Sequence, residues 1–137
     1  MAEGFARAHG SDVFEAHSAG IRPSSRISRR TCAVMEEKGI FFDASYYTKP
    51  ISSFDLESFD AVVNLCEYSL PNTSAPVLKR VLRDPIEGDE NAFRDVREDV
   101  EQLVHSLADH FRTARQWHAL MNPLYSEECL QAAAAQR

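Results

Sequence analysis

The sequence has no apolar run near the roughly 20 residues that a membrane-spanning helix needs. It does not open with a positive region followed by an apolar stretch, so it carries no visible secretory signal. Basic charge is in deficit: 15 Lys and Arg stand against 21 Asp and Glu, a formal net charge of −6. That argues against a nucleic-acid binder, whose affinity comes largely from Lys and Arg on phosphates. Cysteine is scarce. Cys32, Cys66 and Cys129 are odd in number and widely spaced, which fits neither a disulfide framework nor a zinc motif. The five histidines lie far apart and show no metal-ligand spacing. These absences together point to the reducing cytoplasm, with no bound cofactor, no membrane and no nucleic acid.

What remains is apolar enough to fold. Of 137 residues, 44% are hydrophobic, which suits one domain with a real core. "MAEGFARAHG" reads as a helix, with Phe5 and Ala8 joining Met1 or Ala2 on an apolar stripe and Gly10 as its stop. Nothing caps its start. "VFEAHSAG" suggests a short strand and turn over residues 13–20. A second helix carries Ile27, Cys32, Val34 and Met35 on one face, and Gly39 fits the C′ position behind it. Residues 61–66, "AVVNLC", form an apolar run broken only by Asn64, the pattern of a strand buried on both faces in a parallel sheet. "VLKRVLRD" is a half-polar strand nearer the edge. Phe93, Val96, Val100, Leu103, Leu107 and Phe111 then recur at helical steps behind Asp89, a fair N-cap. Such alternation of helix and strand indicates an α/β domain. Parallel sheets bind ligands beyond the carboxyl ends of their strands, which directs attention to "SAG", Cys66–Glu67 and Asp84–Pro85.

"MAEGF", "SAG", "VMEEKGI", "SFDAVVNLC" and "RDPIEGD" occur in the order and spacing of a known family. The chain resembles the low-molecular-weight protein tyrosine phosphatases and their relatives, the thiol-dependent arsenate reductases, over residues 1–112. The resemblance implies a three-layer α/β/α fold with a small parallel sheet. It also implies a central strand and a Cys-x5-Arg-Ser phosphate loop directly before "MAEGF". No cysteine here is followed six residues later by Arg. On that comparison the first central strand and the nucleophile are missing. Either the chain starts upstream of Met1 or the element was lost. Residues 1–115 then form the phosphatase-like domain, and 116–137 an appended tail. Two strands without their central neighbour leave backbone groups unpaired, at about 1–3 kcal/mol for each buried one. The expectation is a poorly stable chain, or one that closes the gap as a homodimer.

The resemblance places Asp84 as the general acid of the family, although Asp-Pro-x-x-Gly is also ordinary turn chemistry. Ile86 and Glu87 follow it where the phosphatases have aromatic residues, which favours the arsenate reductase branch. Cys66 falls where those enzymes carry a relay thiol; it is equally a small core residue, and the partner cysteine expected a few residues later is absent. Cys129 could substitute if the tail folds back. Ser18 matches a hydroxyl that supports the phosphate loop, or is simply a polar strand end. Cys32 reads as packing. The arginines of "RPSSRISRR" read as a solvated surface or an anion site. The implied substrate is an oxyanion, arsenate or a phosphate ester. The implied partner is an external thiol reductant, glutathione with glutaredoxin or thioredoxin. A non-catalytic binding or dimerisation remnant is the competing reading.

Overall fold

The computed structural model describes the backbone of residues 1–121 and the side chains of residues 1–116. The first helix, α1, spans Ala2–His9 and has no side-chain cap. Its buried face holds Glu3, Gly4, Phe5 and Ala6, whereas Ala8 is exposed. The apolar stripe is therefore rotated from the one expected, and it includes a carboxylate. Gly10 follows the helix, and a Cβ there would lie 2.2 Å from the Phe14 ring.

Helix α2 spans Arg29–Glu36. It closes in a Schellman motif: Gly39 N–H donates to Glu36 O at 2.9 Å and Ile40 N–H to Met35 O at 3.1 Å. Gly39 takes the left-handed conformation this requires, with φ 74°. Ile40 and Met35, brought together by the motif, both join the core.

Strands β1 (Val62–Asn64) and β2 (Val77–Lys79) pair in parallel, Val62 opposite Val77 and Asn64 opposite Lys79. They form the two-stranded sheet of the described residues. Beyond β2, Leu82 N–H donates to Leu65 O at 3.0 Å and carries the pairing one rung further. The strand expected over residues 13–20 is not formed. Its one ladder contact is an isolated parallel bridge between Gly20 and Pro50. A strand needs a neighbour along its length, and among the described residues nothing pairs with 14–19. Strand β1 is half-buried apart from Asn64, not buried on both faces.

Helix α3 spans Glu90–Met121. Asp89 caps it, its carboxylate accepting from Ala92 N–H at 3.0 Å. The helix continues through residue 115, so the expected domain boundary falls inside it; residues 122–137, with Cys129, lie outside the described residues. Phe93, Val100, Val104 and Ala108 form its buried stripe. The core joins Phe5 and Ala6 of α1, Met35 and Ile40 of the α2 turn, and Val100 and Val104 of α3. Full burial of Phe5 contributes about 1.5–3 kcal/mol. Arg97 lies within that stripe and is buried. It donates to Val34 O at 2.7 Å and to Glu37 Oε2 at 2.6 Å, locking the end of α2 onto α3. No helix of the described residues is long and apolar enough to cross a membrane.

Candidate active site

The head of α1 borders a cavity of about 200 Å³, lined among others by Glu3, Gly4, Ser18, Gly20, Tyr47 and Lys49. Glu3 is its organising group. The Ser18 hydroxyl and the Arg7 guanidinium donate to its two oxygens, and Lys49 Nζ approaches at 3.4 Å. Burial pushes the Glu3 carboxyl upward. The Ser18 hydrogen bond and the charges of Lys49 and Arg7 outweigh it, and the net shift is down, so Glu3 is held as a carboxylate. The backbone closes the same corner: Gly20 N–H donates to Lys49 O and Ile51 N–H to Gly20 O, both at 2.9 Å. The Ser18 hydroxyl is therefore spent on Glu3.

Cys66 lies just past β1. Asn64, buried at the strand end, sets this turn. Its Oδ1 accepts from Cys66 N–H at 3.0 Å, and its Nδ2 donates to Tyr68 O at 2.9 Å. The half-buried Cys66 Sγ lies 3.2 Å from Asn64 Oδ1. Asp84 is exposed, and its Oδ1 accepts from Ile86 N–H at 3.1 Å, an Asx turn followed by Gly88 N–H on Pro85 O at 2.8 Å. The Leu65–Leu82 rung puts Cys66 one residue and Asp84 two residues beyond the last pairing, at the same edge of the sheet. Neither lines the cavity at α1.

The arginine-rich loop connects these places. Arg22 sits over the Tyr68 ring at 5.4 Å, beside the Cys66 turn. Arg30 donates to Gly88 O at 2.8 Å, at the end of the Asp84 turn. All four arginines are exposed, and Arg22 and Arg30 make these two contacts. Cys32 is half-buried on α2. Sequence reading overlooked Glu3, Lys49 and Asn64 as site residues. For two of them a signal existed: Glu3 interrupts an apolar helix face, and Asn64 is the one polar residue inside "AVVNLC".

The described residues combine three helices with a small parallel sheet, with polar groups gathered at the sheet's carboxyl edge and at the head of the first helix. The family model for low molecular weight phosphotyrosine protein phosphatase matches residues 1–117. A glutaredoxin arsenate reductase of Synechocystis sp. is 34% identical over 113 residues, covering 78% of this chain and 84% of that protein. Among solved structures, an arsenate reductase in the phosphate binding state gives a TM-score of 0.73 at 31% identity, covering 80% of this chain and 86% of that one. The arsenate reductase of Archaeoglobus fulgidus gives 0.70 at 25% identity, over 79% of this chain and 87% of that one. The chain belongs to the low molecular weight phosphotyrosine protein phosphatase family, and within it is arsenate reductase-like.

Proposed function

We propose that this chain carries the greater part of a thiol-dependent arsenate reductase, with Cys66 as relay thiol, Asp84 as general acid and Ser18 as loop support. In this reaction a thiolate from a Cys-x5-Arg loop of the family pattern, which residues 1–137 do not hold, attacks arsenate. Asp84 protonates the oxygen that leaves as water, and a sulfur–arsenic bond forms. The Cys66 thiolate then attacks that sulfur. The electron pair of the sulfur–arsenic bond stays on arsenic, which leaves as arsenite, and a disulfide remains. An external dithiol, or glutathione with glutaredoxin, reduces it. Residues 1–137 hold no Cys-x5-Arg, so on this reading they are inactive by themselves.

The observation that carries the reading is the placement of Cys66: a half-buried thiol at the carboxyl end of β1, on the same sheet edge as Asp84. Two arsenate reductase relatives with similar chain coverage support it. The exposed Ile86 beside Glu87 offers no aromatic wall for a phosphotyrosine ring.

The test compares residues 1–137 with the same chain preceded by a strand and a Cys-x5-Arg-Ser loop of the family pattern. Both are assayed for arsenate-dependent NADPH oxidation with the glutathione and glutaredoxin system, with the thioredoxin system, and for aryl phosphate hydrolysis. The expected result is no turnover by 1–137, arsenate reduction by the extended chain, and its loss in Cys66→Ser. Turnover by 1–137, arsenate reduction that survives Cys66→Ser, or hydrolysis without reduction overturns the proposal.

A further inference from the structure

The last residue of α1 meets the middle of α3, and three side chains converge there that the proposed reaction does not use. Glu101 and His105 are one turn apart and share a face of α3. His9 stacks on His105, with ring centroids 4.6 Å apart and planes inclined at 30°. One ligand atom each from His9, Glu101 and His105 lies within 4.8 Å of the other two. His9 Nε2 is 3.9 Å from Glu101 Oε1.

The surroundings hold Glu101 and His9 in place, while His105 is exposed. Lys38 Nζ donates to the other carboxylate oxygen, Glu101 Oε2, at 2.7 Å, which fixes the carboxylate and leaves Oε1 toward His9. Phe5 stacks on the His9 ring at 5.9 Å. Arg112 donates to the His9 carbonyl at 2.6 Å, anchoring the backbone from α3. A carboxylate hydrogen-bonded behind its ligating oxygen is the usual support of a metal ligand.

Two imidazoles and one carboxylate form a nitrogen-rich set suited to Zn²⁺ and unlike the all-oxygen sets of Ca²⁺ or Mg²⁺. Bonds of about 2.0–2.2 Å to a tetrahedral ion put ligand atoms roughly 3.3 Å apart. Small side-chain rotations close the present spacing to that value. We propose that His9, Glu101 and His105 form a Zn²⁺ site that clasps the end of α1 to α3, with the fourth position open to water. It is independent of the arsenate chemistry.

The test uses the full chain without an affinity tag. Zn²⁺ is titrated calorimetrically, and Co²⁺ serves as a visible-absorption probe of coordination. The expected result is one equivalent of Zn²⁺ bound and a melting temperature raised by it. His105→Gln and Glu101→Gln weaken binding at least about tenfold and remove the thermal shift. His110→Gln, an exposed histidine of the same helix outside the cluster, changes neither. Circular dichroism of the metal-free variants, matching the parent, shows that the fold is kept; if His105→Gln fails this check, Glu101→Gln alone decides. No binding by the parent chain, equal affinity in a folded cluster variant, or an equal loss in His110→Gln overturns the site.

Discussion

Replacing Glu3 by Gln tests whether a charged knot holds the head of α1. The Glu3 side chain is 5% exposed and that of Lys49 10%, while Arg7 is 37% exposed. The Arg7 pair, one helical turn away and partly in solvent, is therefore worth only about 0.3–0.5 kcal/mol. A hydrogen bond to a charged group contributes about 1.5–3 kcal/mol against about 0.5–1.5 for a neutral one, so the Ser18 contact loses roughly 1 kcal/mol. Lys49 loses its buried counter-charge but keeps the Tyr47 carbonyl at 3.2 Å and the Tyr47 ring at 4.4 Å. Those contacts limit its penalty to about 1 kcal/mol, at the lower end for an unsatisfied buried group. The expected loss for Glu3→Gln is about 2–3 kcal/mol, measured by urea unfolding followed by far-UV circular dichroism at pH 7. That is a large share of the roughly 5–15 kcal/mol a domain has. The double variant Glu3→Gln, Lys49→Met should recover part of it, since no ammonium is then left without its carboxylate. A loss under about 1 kcal/mol, or an interaction energy near zero in the double-mutant cycle, would refute the reasoning.

Two further outcomes are expected. Arg94 and Arg97 hydrogen-bond Glu37 and lower its pKa from 4.5 to about 2, so its contribution to stability is complete above pH 4.5 and is lost as pH falls through about 2. Glu37→Gln should flatten the urea midpoint against pH across that window, and an unchanged profile would count against the ion pair. Gly39→Ala should cost about 1–2 kcal/mol, because φ 74° strains any Cβ although nothing within 4 Å would collide with it; Gly39→Asn should cost less, by the same unfolding assay.

Features whose cause is local were legible in the sequence. Asp89 as a cap, Gly39 as a helix stop and the helical spacing of Phe93 and Val100 need only neighbours a few residues away. The arsenate reductase-like family was legible through five short segments in register. Features decided by distant partners were not. Val13–Ser18 has strand composition but finds no strand partner among the described residues. The buried face of α1 turns on Glu3, which is tolerable inside only because Ser18 and Lys49 arrive from other segments. Val104 and Ala108 fill the stripe of α3 because α1 packs there, which no periodicity of α3 alone reveals. His9 and Glu101 come together for the same reason.

The docking of α1 on α3 also bears on how the chain is made. Arg112 holds the His9 carbonyl and, from 100 residues along the chain, the Asp12 carboxylate. During synthesis α1 emerges well before α3, and its eight residues are too short to persist alone. It cannot settle until nearly the whole domain has left the ribosome and α3 can reach back to it. Folding here is governed by contacts of long sequence separation, which are slow to form. The nascent chain carries Phe5 and Met35 uncovered for most of its synthesis, and in that interval it depends on dilution or chaperones to avoid sticking to its neighbours.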